Sequence, residues 1–198
     1  MFPIFLKLEG RRCLVVGAGS VAEGKIRGLL QAGASVDVVA PSAVPQIQEW
    51  FGQGILNWKP RTFEPSDLDE VSLVIAATPS RQVNTQIFQE ARLRNVLCNS
   101  VDDPDNCDFY YGAVVQRGDL QIAISTNGRS PALAQRLRQE LEQQFGPEYA
   151  SWLHELGTAR DQMFAAKLDV EARKKLLHEL ASREAFNNRN IVQCGRSN

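Results

Sequence analysis

Gly17-Ala18-Gly19-Ser20-Val21-Ala22 follows directly on the apolar run Leu14–Val16 and opens an amphipathic stretch. At this GxGxxA spacing the glycines permit a tight turn and let the backbone approach a pyrophosphate. Ala22 allows close packing of the following helix, whose free N–H groups at its start bind phosphate oxygens. The motif alone is common, but strand before and helix after supply the context that a dinucleotide site requires. Gly17, Gly19, Ser20, Val21 and Ala22 are therefore assigned to cofactor binding. The next apolar run ends at Ala40-Pro41 with no Asp or Glu at its tip to hold ribose hydroxyls, since Asp37 lies inside the run. Nor does an Arg stand there to hold a 2′-phosphate, which favours NAD over NADP.

Two more clusters close apolar runs: Ala76-Ala77-Thr78 and Asn99-Ser100-Val101-Asp102-Asp103-Pro104. In an open parallel sheet, ligands bind outside the carboxyl ends of the strands. Ala40, Pro41, Ala77 and Thr78 thereby join the cofactor set, and Asn99 and Asp102 face the same crevice. A carboxylate there is either a general base or the cap of a turn before Pro104, and the residues alone leave both open. His154 and His178 have no second ligand at metal spacing and read as surface or interface residues, so no metal site is expected. Cys13, Cys98, Cys107 and Cys194 form no CxxC pair; Cys13 and Cys98 sit in apolar runs and read as buried free thiols.

The elements that must position these groups alternate between two periods. Strands are predicted over Arg12–Val16, Ser35–Ala40, Leu56–Lys59, Val71–Ala77 and Val96–Cys98, with helices over Ser20–Ala32, Val44–Phe51 and Arg81–Arg94. This is an α/β pattern, a Rossmann-type parallel sheet covered on both faces. Gly24 and Gly28 inside the first helix each cost ~1 kcal/mol against Ala and are read as sites of close packing on the sheet. After Pro104 the pattern changes. Tyr110–Gln116 and Leu120–Ser125, joined at Gly118-Asp119, form an antiparallel hairpin. Helices follow over Pro131–Phe145, with Ser130 as N-cap, then Glu148–Ala166 and Val170–Ala181. The domains expected are 1–107, a Rossmann domain; 108–146, a small α+β dimerisation hairpin and helix; 147–186, a helical C-terminal region; and 187–198, a disordered tail. The hairpin exposes Tyr110, Val114, Val115, Ile122 and Ile124, which a symmetric homodimer would cover.

The whole chain, 198 residues with 22 Lys and Arg against 23 Asp and Glu, carries no charge excess that would point to nucleic acid. Met1–Glu9 falls short of a signal h-region, no run approaches the ~18 apolar residues of a membrane span, and the scattered cysteines suit a reducing compartment. A cytoplasmic protein without membrane or nucleic-acid partners is expected.

Beyond these residues the chain resembles the siroheme synthase N-terminal module, the precorrin-2 dehydrogenase family, some members of which are also sirohydrochlorin ferrochelatases. The resemblance rests on Phe2-Pro3-Ile4-Phe5, Leu14 to Lys25, Ala76–Thr78 and Asn99 to Pro104. It is strongest in Gly118-Asp119-Leu120-Gln121-Ile122-Ala123-Ile124-Ser125-Thr126 with Ser130-Pro131-Ala132-Leu133-Ala134, and Gly146-Pro147-Glu148 also fits. It implies a homodimer with a composite site that oxidises precorrin-2 to sirohydrochlorin with NAD. It places the essential carboxylate on Asp102, the phosphate loop on Gly17, Gly19 and Val21, and the serine of the tetrapyrrole-side loop on Thr126. Asn99, Ser125, Thr126 and Arg129 are the implied substrate contacts. The sequence departs from the family pattern at Gly24, Pro79-Ser80, Gly112 and Asn127, and it holds no methyltransferase segment that would imply uroporphyrinogen methylation.

The implied reaction is a two-electron oxidation in which Asp102 takes a proton. The substrate is a polycarboxylate, for which Arg117, Arg129, Arg136 and Arg138 are candidate partners; Arg136 and Arg138 read equally well as solvated helix charges. A competing reading is a non-catalytic NAD-sensing module, which uses the glycine loop but gives the Asn99–Asp102 cluster no role. A dehydrogenase of small amino or hydroxy acids would need a fuller second domain than the chain leaves room for.

Overall fold

In the computed structural model, which describes residues 1–194, the chain divides into two compact units, Met1–Tyr111 and Gly112–Asn198. The first unit alternates β1 (Arg12–Val16), α1 (Ser20–Gln31), β2 (Ser35–Val39), α2 (Pro45–Gly52), β3 (Asn57–Lys59), β4 (Leu73–Ala76), α3 (Arg81–Leu93) and β5 (Leu97–Ser100). The strands form one parallel sheet in the order β3-β2-β1-β4-β5, so the chain reverses its direction of travel across the sheet beside β1.

Period-two alternation on the buried strands builds two cores, one on each face. Cys13 and Val15 of β1, Val36 and Val38 of β2 and Ile75 of β4 pack with Ile26 and Leu29 of α1 and Ile47 of α2. Leu14, Val16, Val39, Val74 and Ala76 pack with Ile87, Phe88 and Ala91 of α3. Each large aliphatic side chain so buried contributes roughly 1.5–3 kcal/mol. Cys13 and Cys98 are free and fully buried, and burial pushes their thiols up to about 11 and about 12. Both are therefore packing residues with negligible thiolate character near neutral pH. Gly24 and Gly28 do not serve close packing: both are exposed, and a Cβ at either would meet nothing within 4 Å.

A 3-10 turn at Pro65–Leu68, absent from the sequence reading, carries a charge cluster. Asp67, only 2% exposed, accepts hydrogen bonds from Arg61 Nη1 and Nη2 at 2.7 and 2.6 Å, Lys59 Nζ at 2.9 Å and the Glu64 amide at 3.0 Å. Burial works to raise this carboxyl, but the hydrogen bonds from Arg61, Lys59 and Glu64 outweigh it and hold it at about 2. A folded-state value below the unfolded one stabilises the fold above the ordinary carboxylate range, and this contribution is lost as pH falls through about 2. Asp67→Asn should cost about 2 kcal/mol at neutral pH. Chemical denaturation should show the gap to wild type closing between about pH 4 and about pH 2.

The second unit starts at Gly112, not near Asp108, because Asp108 is tied to the first unit: its amide donates to the Cys98 carbonyl and its Oδ2 accepts from the Cys98 amide. It holds the antiparallel hairpin β6 (Ala113–Arg117) and β7 (Leu120–Ile124), then α4 (Pro131–Gln144), α5 (Glu148–Ala165), α6 (Val170–Leu180) and α7 (Arg183–Cys194). Ser130 caps α4 by accepting from the Leu133 amide. Val115 is buried, contrary to the expected exposed hairpin face, whereas Val114 and Leu133 are exposed. The expected disordered tail at 187–198 is helical as far as Cys194. Phe186 packs its ring on Tyr149 and Trp152 of α5 at 4.6 and 4.7 Å, and Arg189 forks onto Glu155, so long-range contacts hold α7. Residues 195–198 of that expected tail lie outside the described residues.

Candidate functional site

The reversal of connectivity beside β1 opens a crevice of about 870 Å³ at the carboxyl ends of the strands. Gly17, with φ +106°, makes the crossing from β1 possible. A Cβ there would stand 2.3 Å from the Ala77 carbonyl oxygen, so only glycine lets the two strand tips lie this close. Gly19 is the N-cap of α1 in extended conformation and supplies no side-chain cap. The first intrahelical bond runs from the Glu23 amide to the Gly19 carbonyl at 3.0 Å. The amides of Ser20, Val21 and Ala22 are thus left without a helical acceptor at the crevice floor. A Cβ at Gly19 would meet nothing within 4 Å. This cradle, with three free donors on the positive end of a twelve-residue helix, fits a pyrophosphate.

All nine residues assigned to the cofactor from sequence line this one crevice, and so does Asp102. Its far rim is tied together by side-chain hydrogen bonds. Thr78 Oγ1 donates to Asn84 Oδ1 at 2.6 Å, and the Asn84 side-chain nitrogen returns a bond to the Thr78 carbonyl. Asn84 is buried, and Ser80 caps α3 by accepting from the Val83 amide. An asparagine on a helix carries no sequence signal of its burial or of its partner six residues earlier.

The adjacent aspartates separate sharply. Asp103 is buried and accepts from Arg81 Nε at 3.2 Å and Asn106 Nδ2 at 2.9 Å. The Asn106 bond, opposed by burial and joined by Arg81, holds its carboxyl below the usual range. Asp103 is thus the structural carboxylate of this turn. Asp102, at φ +59°, is exposed, lines the crevice and has no side-chain hydrogen bond among the described residues. Lys25, half-buried on α1, holds its ammonium 3.6 Å from the centroid of the Tyr111 ring. Burial lowers the Lys25 ammonium, while the charge of Asp102 acts to raise it. Lys25 was missed as a neighbour of Asp102. The available signal was its place one helical turn after Val21, which puts both on one face of α1.

Asn99 does not reach the crevice. It is buried, and its side-chain nitrogen donates to the Phe109 carbonyl at 2.8 Å and meets Cys107 Sγ at 3.4 Å. Its amide is spent on anchoring the returning chain. In the second unit, Ser125 and Thr126 open the loop into α4. Their hydroxyls accept from the amides of Asn127 and Ser130, both at 3.2 Å, while Asn127 takes φ +54°. Arg129 is exposed on this loop and forms no ion pair among the described residues. Arg117 donates to the Phe145 and Glu142 carbonyls and so finishes the end of α4, while Arg136 and Arg138 pair with Glu140 and Glu142 one turn on. Of the four candidate arginines, Arg129 alone is uncommitted among the described residues.

A family described as putative NAD(P)-binding matches residues 4–113, more than half of the chain, and one described as sirohaem biosynthesis protein central matches residues 117–144. The chain belongs to the siroheme synthase N-terminal module family. It is 46% identical over 143 residues to siroheme synthase of Acinetobacter baylyi, covering 72% of this chain and 31% of that protein. It is 38% identical over 196 residues to siroheme synthase 2 of Yersinia pseudotuberculosis, covering 96% of this chain and 41% of that protein. The chain therefore spans about a third of the length of the relatives it matches. Among solved structures, SirC, a precorrin-2 dehydrogenase, superposes with a TM-score of 0.82 and 28% identity over 100% of both chains. As a member of this family the chain uses a nicotinamide dinucleotide, which the crevice fits. No described helix is long and apolar enough to cross a membrane, and no described group of His, Cys, Asp and Glu side chains forms a candidate metal site.

Proposed function

We propose that this chain catalyses the NAD-dependent oxidation of precorrin-2 to sirohydrochlorin in the cytoplasm. The carrying observation is an exposed, uncommitted carboxylate, Asp102, in the same crevice as the phosphate cradle. The likeness to a precorrin-2 dehydrogenase over the full length of both chains supports the substrate.

The amides of Ser20, Val21 and Ala22 bind the pyrophosphate, and Ala40, Pro41, Ala77 and Thr78 line the path of the rest of the cofactor. A dinucleotide held there would supply the hydride acceptor that the oxidation of the macrocycle requires. The second hydrogen leaves as a proton, which the Asp102 carboxylate accepts. Its left-handed backbone, between the bonds Val101 N to Ala76 O and Asp103 N to Ser100 O, aims the carboxylate without help from side-chain partners. Arg129, with Ser125 and Thr126, binds substrate carboxylates, the guanidinium in bidentate fashion. An anaerobic assay with purified protein tests the reading: precorrin-2 should be consumed with formation of one NADH per sirohydrochlorin. NAD binding without any turnover would favour the non-catalytic sensor.

The catalyst is proposed to be a homodimer, because Val114 and Leu133 leave apolar surface on the second unit uncovered. Sedimentation at micromolar concentration should give twice the 22.0 kDa chain mass, and a clean monomer would remove the dimer.

A further inference from the structure

The tip of β2 carries neither an acid to repel a 2′-phosphate nor a cation to attract one, yet Arg61 lines the crevice beside Pro41 and Ser42. It arrives from β3. Lys59 pairs with Val39 in register, and the amides of Ala40 and Arg61 both donate to the Lys59 carbonyl. Arg61 is therefore fixed at the end of the crevice where an adenosine ribose lies in a sheet of this topology. A guanidinium at that place is the group that ordinarily receives a 2′-phosphate.

This guanidinium is turned away from that task. Both terminal nitrogens fork onto the buried Asp67, and Nη1 also donates to the Thr62 carbonyl at 2.8 Å. Lys59, the second cation of the cluster, is drawn onto the same carboxylate. Glu64 lies 4.0 Å from Arg61. Two cations and two carboxylates sum to no net charge, so a phosphate reaching the β2 tip meets no net positive field from this cluster.

Resting on the reading of the crevice as a dinucleotide site, we infer that Asp67 sets the preference for NAD over NADP by holding Arg61 closed. Asp67 touches no cofactor in this arrangement; it is a positioning residue, and Arg61 is a latent phosphate receptor. Both cations keep more than a third of their side-chain surface exposed, so each is free to swing toward solvent once its partner is lost.

Binding of NAD and NADP, measured by calorimetry on the full chain, tests this without any turnover. Wild type should bind NAD more tightly. Asp67→Asn, checked by circular dichroism to be folded, should improve NADP relative to NAD by about ten-fold or more, as a charge-assisted bond to phosphate is gained. Adding Arg61→Ala to that variant should abolish the gain. Arg61→Ala alone removes a guanidinium already engaged and leaves one net negative charge in the cluster, so it should move the ratio against NADP by much less than about ten-fold. A folded Asp67→Asn protein with an unchanged ratio would overturn the inference, as would a wild type that prefers NADP. A selective loss of NADP affinity of about ten-fold or more in Arg61→Ala, the size of a direct contact to phosphate, would also overturn it, and this arm decides even if Asp67→Asn fails to fold. Binding of neither dinucleotide by wild type would remove the crevice reading itself, whereas normal NAD binding with an unmoved ratio removes only the role of Asp67.

Discussion

Gly19→Asp is expected to lower NAD affinity by at least roughly 100-fold while leaving the protein as stable as wild type or more so. The two effects have one cause. Gly19 is the N-cap of α1, it supplies no side-chain cap, and a Cβ there meets nothing within 4 Å. An aspartate fits without moving the backbone and accepts from the free amides of the first turn, as a good N-cap does. Those amides are the proposed pyrophosphate donors, so the variant fills its own anion site with its own carboxylate. The carboxylate also repels the two phosphates by like charge. Thermal denaturation together with calorimetry would separate the outcomes. Near wild-type NAD affinity in a folded Gly19→Asp protein would place the cofactor elsewhere.

Much of the crevice was legible in the sequence because buried parallel strands write themselves as apolar runs and ligands collect at their ends. Leu14–Val16, Val36–Val39 and Leu73–Ala76 are such runs, and the glycine loop and the Ala77-Thr78 tip follow from where they stop. What escaped are residues whose roles depend on contacts across the fold. Arg61 and Asp67 sit six positions apart in a polar loop, and nothing in their types announces that one locks the other at the crevice rim. Asn99 stands in the family cluster but is consumed by the Phe109 carbonyl ten residues on. Arg117 looked like a substrate ligand and instead finishes α4, 25 residues away at Glu142. Helix α7 has little sequence signal of its own, and Phe186 and Arg189 hold it to α5.

Asp102 and Asp103 are the sharpest case, since two adjacent aspartates before a proline are interchangeable to any reading of residue types. The backbone separates them: φ +59° at Asp102 turns one carboxylate to the crevice, and Asp103 is left to bind Arg81 and Asn106. Asp103 is committed to these two side chains, which leaves Asp102 as the free carboxylate of the pair.

Asp102→Asn and Asp102→Ala should therefore both oxidise precorrin-2 about 10²–10⁴-fold more slowly than wild type, the usual loss when a general base is removed. The asparagine variant is the more telling of the two. It preserves the size of the side chain, tolerates the left-handed backbone about as well as aspartate, and keeps an acceptor oxygen, so a role in shape or turn capping would survive it. A role as proton acceptor would not, because a neutral amide takes up no proton near neutral pH. Alanine tolerates the positive φ less well and should also lose stability, roughly 1 kcal/mol, which would confound a test resting on that variant alone. NAD affinity should hold in both variants, since the amides of Ser20, Val21 and Ala22 and not Asp102 carry the pyrophosphate. Asp103→Asn, by contrast, should lower the melting temperature through the loss of charge-assisted bonds from Arg81 and Asn106 while leaving the rate nearly intact. An Asp102→Asn enzyme turning over precorrin-2 at the wild-type rate would show that Asp102 is not the base. With Asp103 committed to its partners, the proton would then have to leave to a carboxylate of the substrate itself.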